Sequence, residues 1–169
     1  LELLRSTRNL RGVRLRNTAL SDAGLEQLTR FATLKLLDLY GTRITDAGVR
    51  LLTRFGQLEI LDLGVTRVTA AGLAPLEKLS RLTTLDLSGR RITDPATASL
   101  SRFKGLVELN LSGTRVGDAG LSQLGSLKNL RVLGLAGTRV EGGTLKTIAT
   151  LPRLRLLDLA DTDITAKSL

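Results

Sequence analysis

The sequence predicts an α/β solenoid, with a parallel β-sheet on its concave side and short helices or 3₁₀ turns on its convex side. The pattern L-x-x-L-x-L-x-x-T-x-[LIV] recurs seven times at a constant spacing of 24 residues, with one substitution each in the first and fourth units. The units begin at Leu10, Leu34, Leu58, Leu82, Leu106, Leu130 and Leu154. A constant period indicates units that are stable only when stacked, so residues 1–169 are predicted to form one right-handed solenoid of about seven repeats.

The first six positions of each unit predict a short strand. Positions 4 and 6 are aliphatic, as Leu37 and Leu39 are in the second unit, whereas positions 3 and 5 vary. This alternation is typical of a strand with one buried face. Position 11 is always aliphatic, from Leu20 to Ile164, and is expected to turn back into the core.

Positions 16, 19 and 22 predict the helical side. In the first unit they are Leu25, Leu28 and Phe31, and this spacing suits one face of a helix or a 3₁₀ turn. A hydroxyl residue at position 12 is predicted to cap the helix, at Ser21, Thr45, Thr69 and Thr93. An aspartate follows in four units, Asp22, Asp46, Asp94 and Asp118, at the favourable end of the helix dipole.

These motifs resemble a known family, the leucine-rich repeats. The strand and turn block is similar to the family's conserved segment, and the continuation T-D-A-G-L-x-x-L, seen at Thr45 to Gly48, is similar to bacterial relatives of its cysteine-containing subclass. The chain departs from the family at position 9, where threonine replaces Asn or Cys. A hydroxyl can form hydrogen bonds with fewer backbone groups than an amide, so we expect the series of hydrogen bonds at position 9 to be weaker than in family members with Asn. The resemblance covers essentially the whole chain and implies a binding scaffold.

Composition narrows the range of functions. The chain has no His and no Cys, and no Ser or Lys lies in an activating motif, so we expect no enzyme activity, no cofactor and no metal site. Aromatic residues make up only 2%, which argues against sequence-specific nucleic-acid binding. The net charge of +9 indicates either an anionic partner or an arginine-rich composition. No apolar run has the length of a membrane span, and localisation stays open.

The two ends of the chain show no polar cap. The first residue, Leu1, falls at position 16, Leu4 falls at position 19, and the last residue, Leu169, again falls at position 16. Solenoids usually cover their terminal apolar layers. We therefore expect a segment of a longer protein.

Positions 3, 5 and 7 define the concave face, which is the first candidate binding surface. The predicted contacts to a protein or peptide, favoured to be basic, are Leu36, Asp38, Tyr40, Ile60, Asp62 and Asp86. Tyr40 would be an aromatic anchor and the aspartates, expected to be exposed, would select the partner's charge. The stacked carboxylates repel one another, so a compensating group is expected. The alternative is that L-D-L is a framework choice of the repeat.

Position 10 defines a second candidate surface, the arginine rim, formed by Arg43, Arg67, Arg91, Arg115 and Arg139. A repeated positive charge suits a polyanion such as an anionic glycan or a phosphate-bearing polymer. The alternative is that each arginine pairs with the aspartate three residues later, as Arg43 with Asp46. A third reading is a substrate-recognition module of a larger enzyme.

The fourth unit breaks the pattern. Arg90 replaces threonine, Pro95 and Ala96 replace Ala-Gly, and Thr97 replaces a core leucine. We expect Arg90 to turn outward, because a buried guanidinium would need an anionic partner. The turn from Ser88 to Arg91 should then differ from its neighbours, and Thr97 should be less buried than leucine. Such an irregularity marks either a binding feature or sequence drift.

Overall fold

The computed structural model of the protein describes residue 7 and residues 9–168, so Leu1, Leu4 and Leu169 lie outside the described residues. Seven parallel strands form one sheet in chain order. They are β1 (Gly12–Arg14), β2 (Leu36–Asp38), β3 (Ile60–Asp62), β4 (Thr84–Asp86), β5 (Glu108–Asn110), β6 (Val132–Gly134) and β7 (Leu156–Asp158). Each strand pairs with the next in a 24-residue register, as Leu37 with Leu61. The predicted repeat and its sheet are confirmed.

The other side of the solenoid carries short helices and 3₁₀ turns. The α-helices are α1 (Asp22–Leu28), α2 (Asp46–Leu52), α3 (Pro95–Leu100), α4 (Asp118–Leu121) and α5 (Leu145–Ala149). The 3₁₀ segments are Ala70–Gly72, Ala74–Lys78 and Ser122–Ser126. The third unit has only 3₁₀ turns, and Pro75 explains this because it lacks the N–H that an α-helix would use there.

The core is a continuous aliphatic layer between the sheet and the helices. Leu37 of β2 and Leu39 just after it are fully buried, as are Leu25 and Leu28 of α1 and the turn residue Ile44. Most of the equivalent positions in the second to sixth units are also buried, whereas the strand and turn positions of the first and seventh units are partly buried. The predicted core columns are therefore confirmed.

The predicted helix caps are confirmed in part. The Thr45 hydroxyl accepts the backbone N–H of Ala47, and the Thr69 hydroxyl accepts that of Ala71. Ser21 precedes α1 but makes no capping hydrogen bond. The residue that precedes α3 is Asp94, so the prediction of Thr93 as a cap is wrong.

The aspartates at position 13 join consecutive units, a role that the sequence reasoning missed. Asp46 accepts hydrogen bonds from both the backbone N–H and the hydroxyl of Thr69, each at 2.7 Å. Asp22 binds Thr45 in the same way, at 2.9 and 2.6 Å. Asp94 and Asp118 accept backbone N–H groups of the fifth and sixth units. We call this series the aspartate ladder.

The aspartate ladder explains the glycine that stands at position 15 of the unit following an aspartate in three cases, Gly48, Gly72 and Gly120. A Cβ atom on Gly48 would collide with the carboxylate of Asp22, one on Gly72 with Asp46, and one on Gly120 with Asp94. The third unit has Ala70 in place of the aspartate, and the fourth unit has the fully buried Ala96 in place of the glycine. At this junction the aspartate of one unit and the glycine of the next are thus both absent.

The turn of the fourth unit differs from the others. Arg90 is exposed, and Gly89 has φ of +111°, whereas the equivalent turn residues have φ between +53° and +67°. In regular units the threonine hydroxyl donates to its own strand, as Thr42 to the Leu39 carbonyl at 2.6 Å. An arginine cannot make this bond. The prediction that the Arg90 side chain turns outward is confirmed. The prediction that the turn from Ser88 to Arg91 differs from its neighbours is also confirmed.

The prediction that Thr97 is less buried than leucine is wrong. Its relative exposure is 0%, and its hydroxyl donates to the Asp94 carbonyl oxygen at 2.6 Å. Because this bond forms within one helical turn, the hydroxyl can be buried without losing a hydrogen bond. The helical layer at α3 is therefore closed to solvent.

The missing step of the aspartate ladder gives a stability prediction. Ala70→Asp alone should destabilise the protein by about 1–3 kcal/mol, because the carboxylate meets the Cβ atom of Ala96. Adding Ala96→Gly should reverse this, since the carboxylate could then reach Thr93. A double-mutant cycle by urea unfolding should give a favourable coupling of about 1–3 kcal/mol. Ala71→Asp, on the exposed neighbour, is the control and should show no coupling with Ala96→Gly. If the effects of Ala70→Asp and Ala96→Gly on the free energy of unfolding simply add, the predicted clash between the new carboxylate and the Ala96 Cβ atom does not occur.

Candidate functional site

The apolar members of the concave face have side chains available for contact. Ile60 is 39% exposed, and Leu36 and Tyr40 are half-buried. The Tyr40 ring lies under the guanidinium of Arg16, with 4.5 Å between the Arg16 Cζ atom and the ring centroid. Arg16 occupies position 7 of the first unit, so the column that identified Tyr40 would also have identified Arg16.

The prediction that the aspartates are exposed is wrong for Asp38, which is only 7% exposed. Its Oδ1 atom accepts the backbone N–H of Tyr40, two residues further on. The same bond recurs from Gly64 to Asp62 and from Ser88 to Asp86, both at 2.8 Å. This Asx-turn geometry shapes the end of each strand. The framework interpretation of L-D-L is thus supported.

The expected compensation for carboxylate repulsion comes from two neighbours. Arg16 Nη1 lies 3.4 Å from Asp38 Oδ2 and 3.7 Å from Asp62 Oδ2. The Asn110 Nδ2 amide donates to Asp86 Oδ2 at 2.7 Å. The central carboxylate, Asp62, is the least compensated of the three.

The pKa of Asp62 is raised from its ordinary value of 3.8 to about 6. Burial is the largest cause, and the charges of Asp86 and Asp38 act in the same direction. The hydrogen bond from Gly64 and the positive charge of Arg16 oppose the shift. The concave face therefore loses one proton near pH 6.

A groove of about 310 Å³ crosses the sheet from β4 to β7. Its walls include the exposed carboxylate of Glu108 and the apolar side chains of Val132 and Leu156, and Leu156 is 53% exposed. Gly134 leaves room for the Asn110 side chain, since a Cβ atom there would lie 2.6 Å from Asn110 Oδ1. The groove combines negative charge with apolar surface.

The arginine rim is fully accessible. All five side chains are exposed, and none of them lies within 4 Å of a carboxylate of any residue in the described part of the chain. Asp46 and Asp118 are held instead by the next unit. The prediction that each arginine pairs with the aspartate three residues later is therefore wrong.

Two further features bear on the site. Across the ranges that the structure describes, no group of three or more His, Cys, Asp or Glu side chains is arranged to hold a metal ion. None of the described helices has the length and apolarity needed to cross a membrane.

Seven in-register units with a parallel sheet and short helices make this chain a leucine-rich-repeat solenoid. A family model described as Leucine Rich repeat matches residues 106–125. No curated protein sequence matches the chain. These features support the leucine-rich-repeat family, while the 24-residue T-D-A-G-L subtype stays a prediction.

Among solved structures, an internalin (inlF) from Listeria monocytogenes superposes with a TM-score of 0.77 at 25% identity, covering 94% of this chain. The chain spans 44% of that internalin. Internalin C2 (inlC2) of the same organism gives a TM-score of 0.68 at 23% identity, with 91% of this chain and 73% of the internalin covered. The bacterial source of both agrees with the origin that the repeat motifs imply.

The raised pKa of Asp62 predicts a pH-dependent stability. The folded protein holds this proton more tightly than the unfolded chain, so the stabilisation is complete below pH 3.8 and is lost as the pH rises to about 6. Asp62→Asn cannot ionise, and its stability relative to the unmodified protein should therefore increase across this window. Urea unfolding at several pH values measures the difference. Asp158→Asn, at the exposed equivalent position of β7, is the control and should show no such trend; a trend as large there would contradict the assignment.

Proposed function

We propose that the chain is a protein-binding scaffold whose concave face receives a partner segment carrying basic and aliphatic side chains. Solenoids of this kind commonly use their extended concave surfaces for binding. The observation that carries the proposal is the groove from β4 to β7, where the exposed Glu108, which forms no ion pair with any described residue, and the exposed Leu156, two strands away, line the same walls. Ile60 and Tyr40 extend the same surface toward the first unit.

The roles of the proposed contact residues differ. Leu36, Tyr40 and Ile60 offer apolar surface, and Asp62 and Asp86 offer half-buried carboxylates. Asp38 is buried and acts on a partner only through Tyr40 and Arg16, which it holds in place. Selection of a basic partner therefore rests mainly on Asp62, Asp86 and Glu108.

A displayed library of random peptides tests the concave face. Selection on the protein should enrich peptides with Lys or Arg beside aliphatic residues, because these complement the groove. Glu108→Arg should weaken the selected peptides by at least about tenfold, which is about 1.4 kcal/mol. Glu26→Arg, the same charge reversal on the exposed surface of α1, is the matched control. If no basic peptides are enriched, or if the selected basic peptides lose affinity equally in both variants, concave binding is contradicted.

A second candidate function, polyanion binding, is favoured by the accessible and unpaired arginine rim. Binding to heparin should weaken more than about tenfold between 50 and 200 mM salt if about three charges are neutralised. Replacing Arg67, Arg91 and Arg115 with serine should abolish most of this binding. The same loss of charge at the exposed Arg50, Arg54 and Arg81 should have a much smaller effect. A flat salt response would exclude the polyanion role.

A third candidate is substrate recognition for an enzyme encoded beside this segment. Leucine-rich-repeat proteins are in general binding scaffolds rather than enzymes, and the contact surface would be the same concave face. The flanking reading frame distinguishes this candidate from the first.

A further inference from the structure

A second concavity lies beside the turns of the third and fourth units, at the edge of the concave face. It is a cleft of about 610 Å³, within the range of pockets that bind ligands. Its floor is formed by the core side chains Leu63 and Leu87, and Tyr40 lies on its border. We call it the turn cleft.

At the turn cleft one of the hydrogen bonds between consecutive units is missing, although Val65 N–H still donates to the Ser88 carbonyl at 2.7 Å. In four of the six junctions the N–H at position 10 donates to the carbonyl at position 11 of the preceding unit, as Arg67 to Ile44 at 2.9 Å and Arg115 to Ile92 at 2.9 Å. The equivalent pair, Arg91 and Val68, makes no such bond among the described residues. Both residues line the cleft, which thus has one unpaired backbone donor and one unpaired backbone acceptor.

The mouth of the turn cleft is positively charged. Arg90 and Arg91 are both exposed, and within the described residues neither has a carboxylate within 4 Å. Arg90 stands where the other units have a threonine, so one of these charges is specific to this turn. A carboxylate between the two guanidinium groups would form charge-assisted hydrogen bonds.

A strained apolar residue completes the cleft. Val65 has φ of +53° and is 52% exposed. A β-branched residue in the left-handed region is destabilised, and such strain clusters at functional sites. The equivalent residues in other units are Asn, Gly or Asp, which tolerate this conformation. Val65 therefore offers apolar surface at the mouth, beside the arginines.

We propose that the turn cleft is a second binding site, for a peptide segment that carries a carboxylate next to aliphatic side chains. The arginines would pair with the carboxylate, and Val65 and the leucine floor would receive the aliphatic groups. A peptide backbone, unlike a phosphate ion, offers both a donor and an acceptor to Val68 and Arg91. Tyr40 and Ser88 connect the cleft to the concave face, but the site does not depend on the groove from β4 to β7.

Tyr40 provides a local readout, because the chain has one tyrosine and no tryptophan. The probe is a short peptide that alternates leucine and glutamate and is blocked at both ends. Its binding should change the Tyr40 fluorescence in a saturable way. The same peptide with glutamine in place of glutamate should bind at least about tenfold more weakly. Equal binding of the two peptides would overturn the proposal.

Two variants distinguish specific binding in the turn cleft from non-specific attraction to the positive charge of the protein. Arg90→Thr restores the regular turn residue and should weaken binding by at least about tenfold without loss of stability. Arg139→Thr, a rim arginine distant in the repeat order, is the charge-matched control and should leave binding unchanged. Equal losses in both would show non-specific attraction to the rim and overturn the proposal.

Two more variants keep the test independent of folding and of the concave groove. Val65→Asn should weaken binding while raising the thermal midpoint, because it removes apolar surface and relieves strain. Glu108→Arg alters the proposed concave function and should leave cleft binding unchanged. If Val65→Asn leaves the peptide affinity unchanged or raises it, the turn cleft is not the site. The same conclusion follows if Glu108→Arg weakens the binding of this peptide.

Discussion

The structure depends on contacts between consecutive units, because no unit of 24 residues can bury its own apolar face. Three sets of contacts hold the four junctions that contain the aspartate. Parallel strands pair in register, aliphatic side chains such as Leu37 and Leu61 stack behind them, and the aspartate ladder ties the helical side together. The T-D-A-G motif is thus a property of a junction, since Asp46 needs both Thr69 and Gly72 of the next unit.

The junction between the third and fourth units departs from this rule on two sides. On the helical side, Ala70 and Ala96 replace the aspartate and its glycine. On the turn side, Arg90 replaces the threonine, and the bond from Arg91 to Val68 is missing. The strands remain paired, with Leu61 opposite Leu85, and the core remains buried. The paired strands and the buried core therefore hold the third and fourth units together. The turn cleft lies at the same junction, and its two arginines have no carboxylate partner among the described residues.

The repeat period and the alternation of leucines sufficed to predict the sheet, the core columns and the outward turn of Arg90, because these follow from local pattern and burial. The side-chain contacts between units could not be predicted from the sequence pattern of a single unit. Asp38 was expected to be exposed, yet it bonds to Tyr40 and lies beside Arg16 of the preceding unit. Thr97 was expected to be less buried, yet a bond within its own turn lets it be buried. The turn cleft was missed for the same reason, since it lies between two units.

Amide hydrogen exchange, followed residue by residue by NMR, tests the central claim that the backbone hydrogen bond from Arg91 to Val68 of the preceding unit is missing. The backbone N–H groups of Arg43, Arg67, Arg115 and Arg139 each donate to the preceding unit and should exchange slowly. The N–H of Arg91 should exchange much faster, while Leu87 of the same unit, which donates to the Asn110 carbonyl, should remain protected. Protection of Arg91 equal to that of Arg67 and Arg115 would contradict the account.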